Sequence, residues 1–342
     1  MRAMILAAGY GTRLWPLTID RAKPAIPFMG RPLVGYVAEY LGRYGFDDVV
    51  VNLHHRPESV RDALGDGSRF GVRLHYVEEP VILGTSGAIA NARPLLDGDA
   101  FVVINGKLAT DIDLAAALDT HRRTGALATL VLRPNPARER YSVVETRDGY
   151  VTGFGGFPAS DKAGGVGVGE GAGPGAGGAP LMFTGIQIFE PRVFDYIPLD
   201  GEGRAVFSHS VTDVFLPAIA RGERLAAYVA RGAWHELSTV RRYLETSVEL
   251  MKGEGRDVEL GPGSVVEEGA DVGESVLWEN VVVRRGARVR GAVLGAGVEV
   301  AAGETFEEVA VVRAELAAGE ERPEKGLAGE VRGTNFVAPL PR

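Results

Sequence analysis

LAAGYGTRLWPLTIDRAKPAIP, residues 6–27, is the stretch on which the reading of this chain turns. An apolar run from residue 2 ends in a turn built on Gly9 and Gly11. Glycines there let the backbone approach a phosphate closely and aim amide hydrogens at it. Arg13 adds a planar, permanently charged fork, and Lys23 follows as a second cation. Neither common glycine motif fits. Leu14 stands where a dinucleotide fingerprint has its third glycine, and no Gly-Lys-Ser/Thr of a P-loop follows. A plain tight turn and a solvated lysine would explain these residues one by one. The long string behind the turn, with Pro16, Thr18 and the Lys23-Pro24 pair, favours a cradle for phosphates.

Working outward, apolar runs alternate with helical spacing. Strands are expected at 2–8, 48–53, 73–77, 100–104 and 127–132, with helices at 33–44, 57–64, 85–96 and 113–124. That alternation predicts an α/β domain, Rossmann-like, with a mostly parallel sheet covered by helices on both faces. Ligands of such sheets sit at the carboxyl ends of the strands, so the loops at 7–14 and 105–111 should line one crevice. Asp113 is placed to cap the helix that follows it. The run AGGVGVGEGAGPGAGGAP at 163–180 has too few apolar side chains to offset the entropy of ordering it and reads as a surface insertion, a tolerated loop or a lid.

Beyond a helix at 239–252 the pattern changes. Small or aliphatic residues recur about every sixth position, as in Val258, Ser264, Ala270, Val281, Ala287 and Val298, with glycines at Gly269, Gly286 and Gly303. Such a repeat implies short strands wound around a triangular coil, a short left-handed β-helix of two or three turns. The organisation expected is a nucleotide-binding domain at 1–252, a β-helix at 256–315 and a loosely held tail at 316–342.

The net charge of −8 argues against nucleic acid as a partner, because a phosphate backbone demands a basic face, yet a nucleotide needs only a local pocket. There is no cysteine, which excludes thiolate zinc sites and cysteine nucleophiles. No apolar run is long enough to span a bilayer and no secretory leader is visible at the start, so a cytoplasmic protein is expected.

With those residues in view, the chain resembles the sugar-1-phosphate nucleotidylyltransferases, whose fingerprint is a GxGTRxxPxT run followed by Pro-Lys-Pro. Only Ala22 departs from it. The likeness continues through LGTSGAI at 83–89, INGKLATDIDL at 104–114, YSVVE at 141–145, FTGIQIFEP at 183–191 and WHELSTVRRYLE at 234–245. The β-helix pattern and SVLWENVVV at 275–283 look most like bacterial mannose-1-phosphate guanylyltransferases. The resemblance implies transfer of a nucleotidyl group from a nucleoside triphosphate, GTP being preferred, to a sugar 1-phosphate, mannose 1-phosphate being preferred, with release of pyrophosphate. It implies that the backbone at Ala7, Ala8, Gly9, Gly11 and Thr12 binds the nucleotide, that Arg13 holds the leaving pyrophosphate and Lys23 the α-phosphate. Gly84 and Gly87 would border base and ribose, Asn105 and Lys107 would face the nucleotide, and Thr184 and Gly185 the sugar. Self-association through the β-helix is a further implication.

Three departures fall on the chemistry. The family's Asn-Gly-Asp, whose aspartate binds Mg2+, is here Asn105, Gly106 and Lys107. Its Trp-x-Asp-Ile-Gly is here Trp234, His235, Glu236, Leu237 and Ser238, leaving Glu236 as the candidate metal ligand. Its Glu-Lys-Pro is replaced by Gly156, Phe157 and Pro158. An ammonium repels magnesium while partly supplying its charge. Two outcomes stay open: an ion pair between Lys107 and Glu236 in a non-catalytic sugar-nucleotide-binding partner, or metal held elsewhere, by Glu236 with Asp111 or by the triphosphate alone, in a transferase that still turns over.

Overall fold

A computed structural model describes residues 1–137, 139, 141, 143–155 and 179–341. The calls on Gly156, Phe157 and Pro158, and on all but the end of the glycine-rich 163–180 run, lie outside the described residues.

The first half forms as the alternation predicts. Strands Arg2–Leu6, Asp48–Leu53, Arg73–Glu78 and Phe101–Asn105 lie parallel, ordered with Arg2–Leu6 between Asp48–Leu53 and Phe101–Asn105. Asp48–Leu53 is nearly all apolar because helices cover both faces of the sheet. Helix Leu33–Arg43 buries Val34, Val37, Ala38 and Leu41 on one face of the sheet, while helix Gly84–Asn91 buries Ala88 and Ile89 on the other. The chain leaves Arg2–Leu6 toward one neighbour first and returns to the other later. The crevice at its carboxyl end is therefore the switch point where ligands of such sheets bind.

The expectation of a mostly parallel sheet is corrected beyond Phe101–Asn105. In the nine-stranded sheet the order continues through Leu181–Phe189, Ala128–Pro134, Leu225–Val229, Tyr150–Gly155 and Val143–Arg147, and four of the eight neighbouring pairs are antiparallel. The sheet is mixed. Parallel neighbours need a long crossover, and none links Val143–Arg147 to Tyr150–Gly155. Asp148 and Gly149, both at positive φ (53° and 80°), turn one strand straight back beside the other.

Helix Val240–Gly253 leads into three ladders of short parallel strands. Their registers pair residue 258 with 275, 265 with 282 and 271 with 288, a repeat of 17 residues. Val281, Val283, Val289, Val298 and Val300 fill the interior. The loosely held tail is corrected. Asn335–Pro339 pairs antiparallel with Val309–Arg313, Glu330–Arg332 pairs with it in turn, and Val337 and Ala338 are fully buried. An end rich in Glu, Gly and Pro hides the short apolar run Phe336, Val337, Ala338, which closes the last ladder.

Coil and α/β domain share one core. Trp278 of the coil is buried and donates its indole N–H to Tyr243 Oη (3.0 Å), whose own hydroxyl donates to the Pro27 carbonyl (2.6 Å). Replacing Trp278 by Ala is expected to cost about 3–5 kcal/mol. Tyr243→Phe, which leaves the indole N–H unpartnered in the core, should cost about 1–3 kcal/mol. Urea unfolding followed by tryptophan fluorescence and circular dichroism checks both, and a Tyr243→Phe midpoint equal to wild type would show that this chain of bonds is idle.

Candidate phosphate-binding site

The switch point carries the glycine turn. Gly11 takes a left-handed conformation (φ 68°), and a Cβ there would lie 2.8 Å from Lys23 Cβ. A side chain at 11 would thus push away the lysine that the turn must meet. A Cβ on Gly9 would meet nothing within 4 Å, so the turn is open on its outer side. Thr12–Leu14 is one turn of 3-10 helix, begun by the Leu14 N–H bonding to the Gly11 carbonyl (2.8 Å). Trp15 turns inward and packs edge-on against Phe336, 5.2 Å between ring centroids, so the turn rests on the coil's closing strand. Lys23 opens a second short turn, Lys23–Ala25, fixed by the Ala22 N–H bonding to Ser59 Oγ (2.9 Å).

A cavity of about 480 Å³ opens above the turn, lined among others by Gly9, Gly11, Thr12, Arg13, Lys23, Asn105 and Lys107. Seven of the residues expected at a nucleotide site therefore share one wall. Ala7 lines it too, but its N–H is already donated to Asn52 Oδ1 (2.7 Å), and Ala8 is buried. Gly84 and Gly87 stand behind the wall, where Ile82 and Thr85 form the surface. A Cβ at Gly84 would lie 2.4 Å from the Ser208 carbonyl oxygen, and one at Gly87 2.1 Å from that of Val206. Both glycines let a helix and a strap of backbone touch.

Thr184 and Gly185 also sit one layer back. The Thr184 hydroxyl donates to the Val131 carbonyl (2.7 Å) in the sheet, and its carbonyl accepts the Trp234 indole N–H (2.9 Å). Gly185 leaves room for Asn105, whose amide nitrogen lies 2.2 Å from where a Cβ would stand.

Lys107 and Glu236 form the ion pair that the sequence holds open as one outcome. Strands Leu108–Thr110 and Trp234–Glu236 pair antiparallel with Leu108 opposite Glu236, and the Leu237 N–H bonds to the Lys107 carbonyl (2.8 Å). Glu236 is 12 % exposed and borders a second cavity of about 530 Å³ with Arg133, Trp234 and Arg242. Burial alone would raise its carboxyl; the Lys107 ammonium, helped by Lys23 and Arg13, outweighs burial and holds it below the usual carboxylate range. Burial first, then the charges of Lys107 and Arg13, lower the Lys23 ammonium to about 7, against the opposing pull of Glu236.

The donor set does not fit magnesium, which asks for near-octahedral oxygen at short range. Among the described residues no three His, Asp or Glu side chains gather as a metal cluster. Asp111 accepts the Ala233 N–H (2.6 Å), and Asp113 caps helix Leu114–Thr124 through the amides of Ala115 and Ala116, as expected of it.

Two side chains that hold the pocket escaped the sequence reading. Asn52 and Glu79 are buried, with Asn52 Nδ2 donating to Glu79 Oε1 (2.6 Å) and the Leu83 N–H donating to Glu79 Oε2 (2.9 Å). Together they tie Ala7 to the segment that carries Ile82. Asn52 in the apolar run VVVNL was the available signal. Tyr10 and Ser238 also line the cavity.

A glycine turn with three cations at the switch point of an α/β sheet marks a protein built to take an anionic ligand there. The family model described as "Nucleotidyl transferase" matches residues 2–253, and the chain belongs to that family. It is 32 % identical over 300 residues to a UTP–glucose-1-phosphate uridylyltransferase of Synechocystis, covering 83 % of this chain and 72 % of the relative. It is 30 % identical over 316 residues to a mannose-1-phosphate guanylyltransferase of Mycobacterium tuberculosis, covering 88 % and 81 %. The structure of HddC from Yersinia pseudotuberculosis superposes with a TM-score of 0.57 at 21 % identity, covering 73 % of this chain and 99 % of that one, which shows the shared fold.

Lys23 is an amine whose folded value lies below its free one. Above about pH 7 it is neutral in the folded protein while the unfolded chain still holds the proton, so stability of the free protein rises from there toward the ordinary lysine range. A phosphate beside it favours the ammonium. Binding of a nucleotide at about pH 8 should therefore take up a proton, read by calorimetry in two buffers of different ionisation enthalpy. Heats that do not depend on the buffer would place Lys23 outside the anion's reach.

Proposed function

We propose that this protein transfers a nucleotidyl group from a nucleoside triphosphate to a sugar 1-phosphate, with GTP and mannose 1-phosphate as the preferred pair. The observation that carries the reading is the convergence of Arg13 and Lys23 on one open glycine turn. In the reaction, a phosphate oxygen of the sugar 1-phosphate forms a bond to the α-phosphorus. The bond from that phosphorus to the oxygen bridging to the β-phosphate breaks, and pyrophosphate leaves with the electron pair. Such a transfer asks for in-line positioning and for positive charge around oxygens that gain charge. Arg13 would neutralise the leaving pyrophosphate and Lys23 the α-phosphate. The amides of Gly9, Gly11 and Thr12 would hold the chain of phosphates.

The second cavity, where Arg133 and Arg242 stand among Glu139, Glu236, Glu245 and Glu249, offers polar partners for the sugar. Thr184 would act there indirectly, by fixing Trp234. Guanylyl transfer is favoured by the Mycobacterium relative, whose likeness runs through most of this chain, coil region included; the uridylyltransferase from Synechocystis is the reason to assay every base. We read the three ladders as a left-handed β-helix serving self-association, and the protein as cytoplasmic. No helix among the described residues is long and apolar enough to cross a membrane.

One observation favours a second reading. The Lys107–Glu236 pair stands where the family's metal carboxylates are expected, which fits a partner subunit that binds sugar nucleotide without turnover. Pyrophosphate release from each nucleoside triphosphate, with mannose or glucose 1-phosphate as acceptor, separates the two. Turnover is expected with one pair, and Arg13→Ala should lower kcat/KM by about a hundredfold. No release with any pair, from protein that still binds nucleotide, would establish the second reading.

A further inference from the structure

The cavity above the glycine turn has an unusual charge balance. Arg13, Lys23 and Lys107 all line it, and among the described residues no Asp or Glu does. Glu236, the carboxylate paired with Lys107, lies behind it and borders the other cavity. Lys107 is not a surface lysine that happens to fall nearby. Its carbonyl is bonded to the amide of Leu237, and Leu108 stands opposite Glu236 in a strand pair, so the backbone sets ammonium against carboxylate. An ammonium has three hydrogens to donate and can keep Glu236 while binding a phosphate oxygen.

A divalent cation would enter this set at a disadvantage. It would meet the charges of Arg13 and Lys107, joined below about pH 7 by that of Lys23, and Glu236 is already neutralised by Lys107. The nearby carboxylates of Asp111 and Asp113 are engaged with backbone amides. A polyphosphate without a metal carries more negative charge than its magnesium complex, and these cations meet that charge directly.

We propose that the pocket takes its nucleoside triphosphate as the metal-free anion, Lys107 standing in for the divalent ion, so that magnesium competes with the protein for the nucleotide. The inference rests on the reading of this cavity as a nucleotide site. It assigns the form of the ligand and gives the free magnesium level control over occupancy.

Isothermal titration of the full chain with each nucleoside triphosphate and with inorganic tripolyphosphate, in EDTA and in excess magnesium, tests it. Binding in EDTA should be tighter than in excess magnesium, equal affinity in the two overturning the competition, and Lys107→Asp should reverse the order, preferring the magnesium complex by about tenfold or more. Lys107→Gln, which removes the charge without adding a second carboxylate beside Glu236, should weaken metal-free binding while leaving the circular dichroism spectrum unchanged. Wild-type binding that requires magnesium overturns the inference and leaves the nucleotide reading intact. Tripolyphosphate binding in EDTA with no nucleotide binding under either condition overturns the nucleotide reading and keeps the three-cation site. No binding of either class overturns both.

Discussion

Two three-residue strands, Leu108–Thr110 and Trp234–Glu236, run antiparallel across the mouth of the sheet, and their register sets Lys107 against Glu236. Everything about the charge of the site follows from that placement. Three cations within reach of one another would repel, and the partly buried Glu236 carboxylate behind Lys107 offsets part of that repulsion. Burial first, and then the charges of Lys107 and Arg13, depress the affinity of the Lys23 amine for a proton. A phosphate beside Lys23 would favour the ammonium again, so anion and proton would bind together.

Much of the fold was legible because burial on both faces leaves strands as plain apolar runs and gives the helices a sharp periodicity. The parallel half formed within a few residues of expectation. What failed was the step from alternation to direction. After the helix at 114–124 most neighbours pair antiparallel, although Leu225–Val229 lies parallel to Ala128–Pro134, and Asp148-Gly149 announced one such return. The coil was visible as a repeat of about six, but its turn closes in 17 residues. One of the three segments in each repeat is therefore shorter than a strict hexad allows. The end of the chain was misjudged because composition averages over a stretch, whereas a strand needs only a few residues such as Phe336 to Ala338.

The candidate site divides along a similar line. Residues that act through charge, Arg13, Lys23, Lys107 and Glu236, could be placed from spacing and kinship, since a charge in an apolar setting has few other purposes. Glycines could not be sorted. Gly9 and Gly11 shape the open turn, whereas Gly84, Gly87 and Gly185 exist so that one stretch of chain can press against another. The sequence looks the same in both cases, because only the neighbour across the gap tells them apart. Asn52 and Glu79 were invisible for the converse reason: their value lies in a hydrogen bond to each other across 27 residues of chain.

The coil is more than an appendage to this arrangement. Arg21, on the loop between Arg13 and Lys23, lies over Trp278 and pairs with Glu279 of the coil (2.7 Å). Trp15, directly behind Arg13, packs on Phe336 of the closing strand, and Tyr243 links Trp278 to Pro27. Both ends of the 6–27 segment thus lean on residues that belong to the last hundred of the chain. A loop that must hold Arg13 and Lys23 in one cavity against their mutual repulsion needs a rigid backing. Here the backing is supplied by the coil, so the stability of the ladders and the geometry of the phosphate turn are parts of a single constraint.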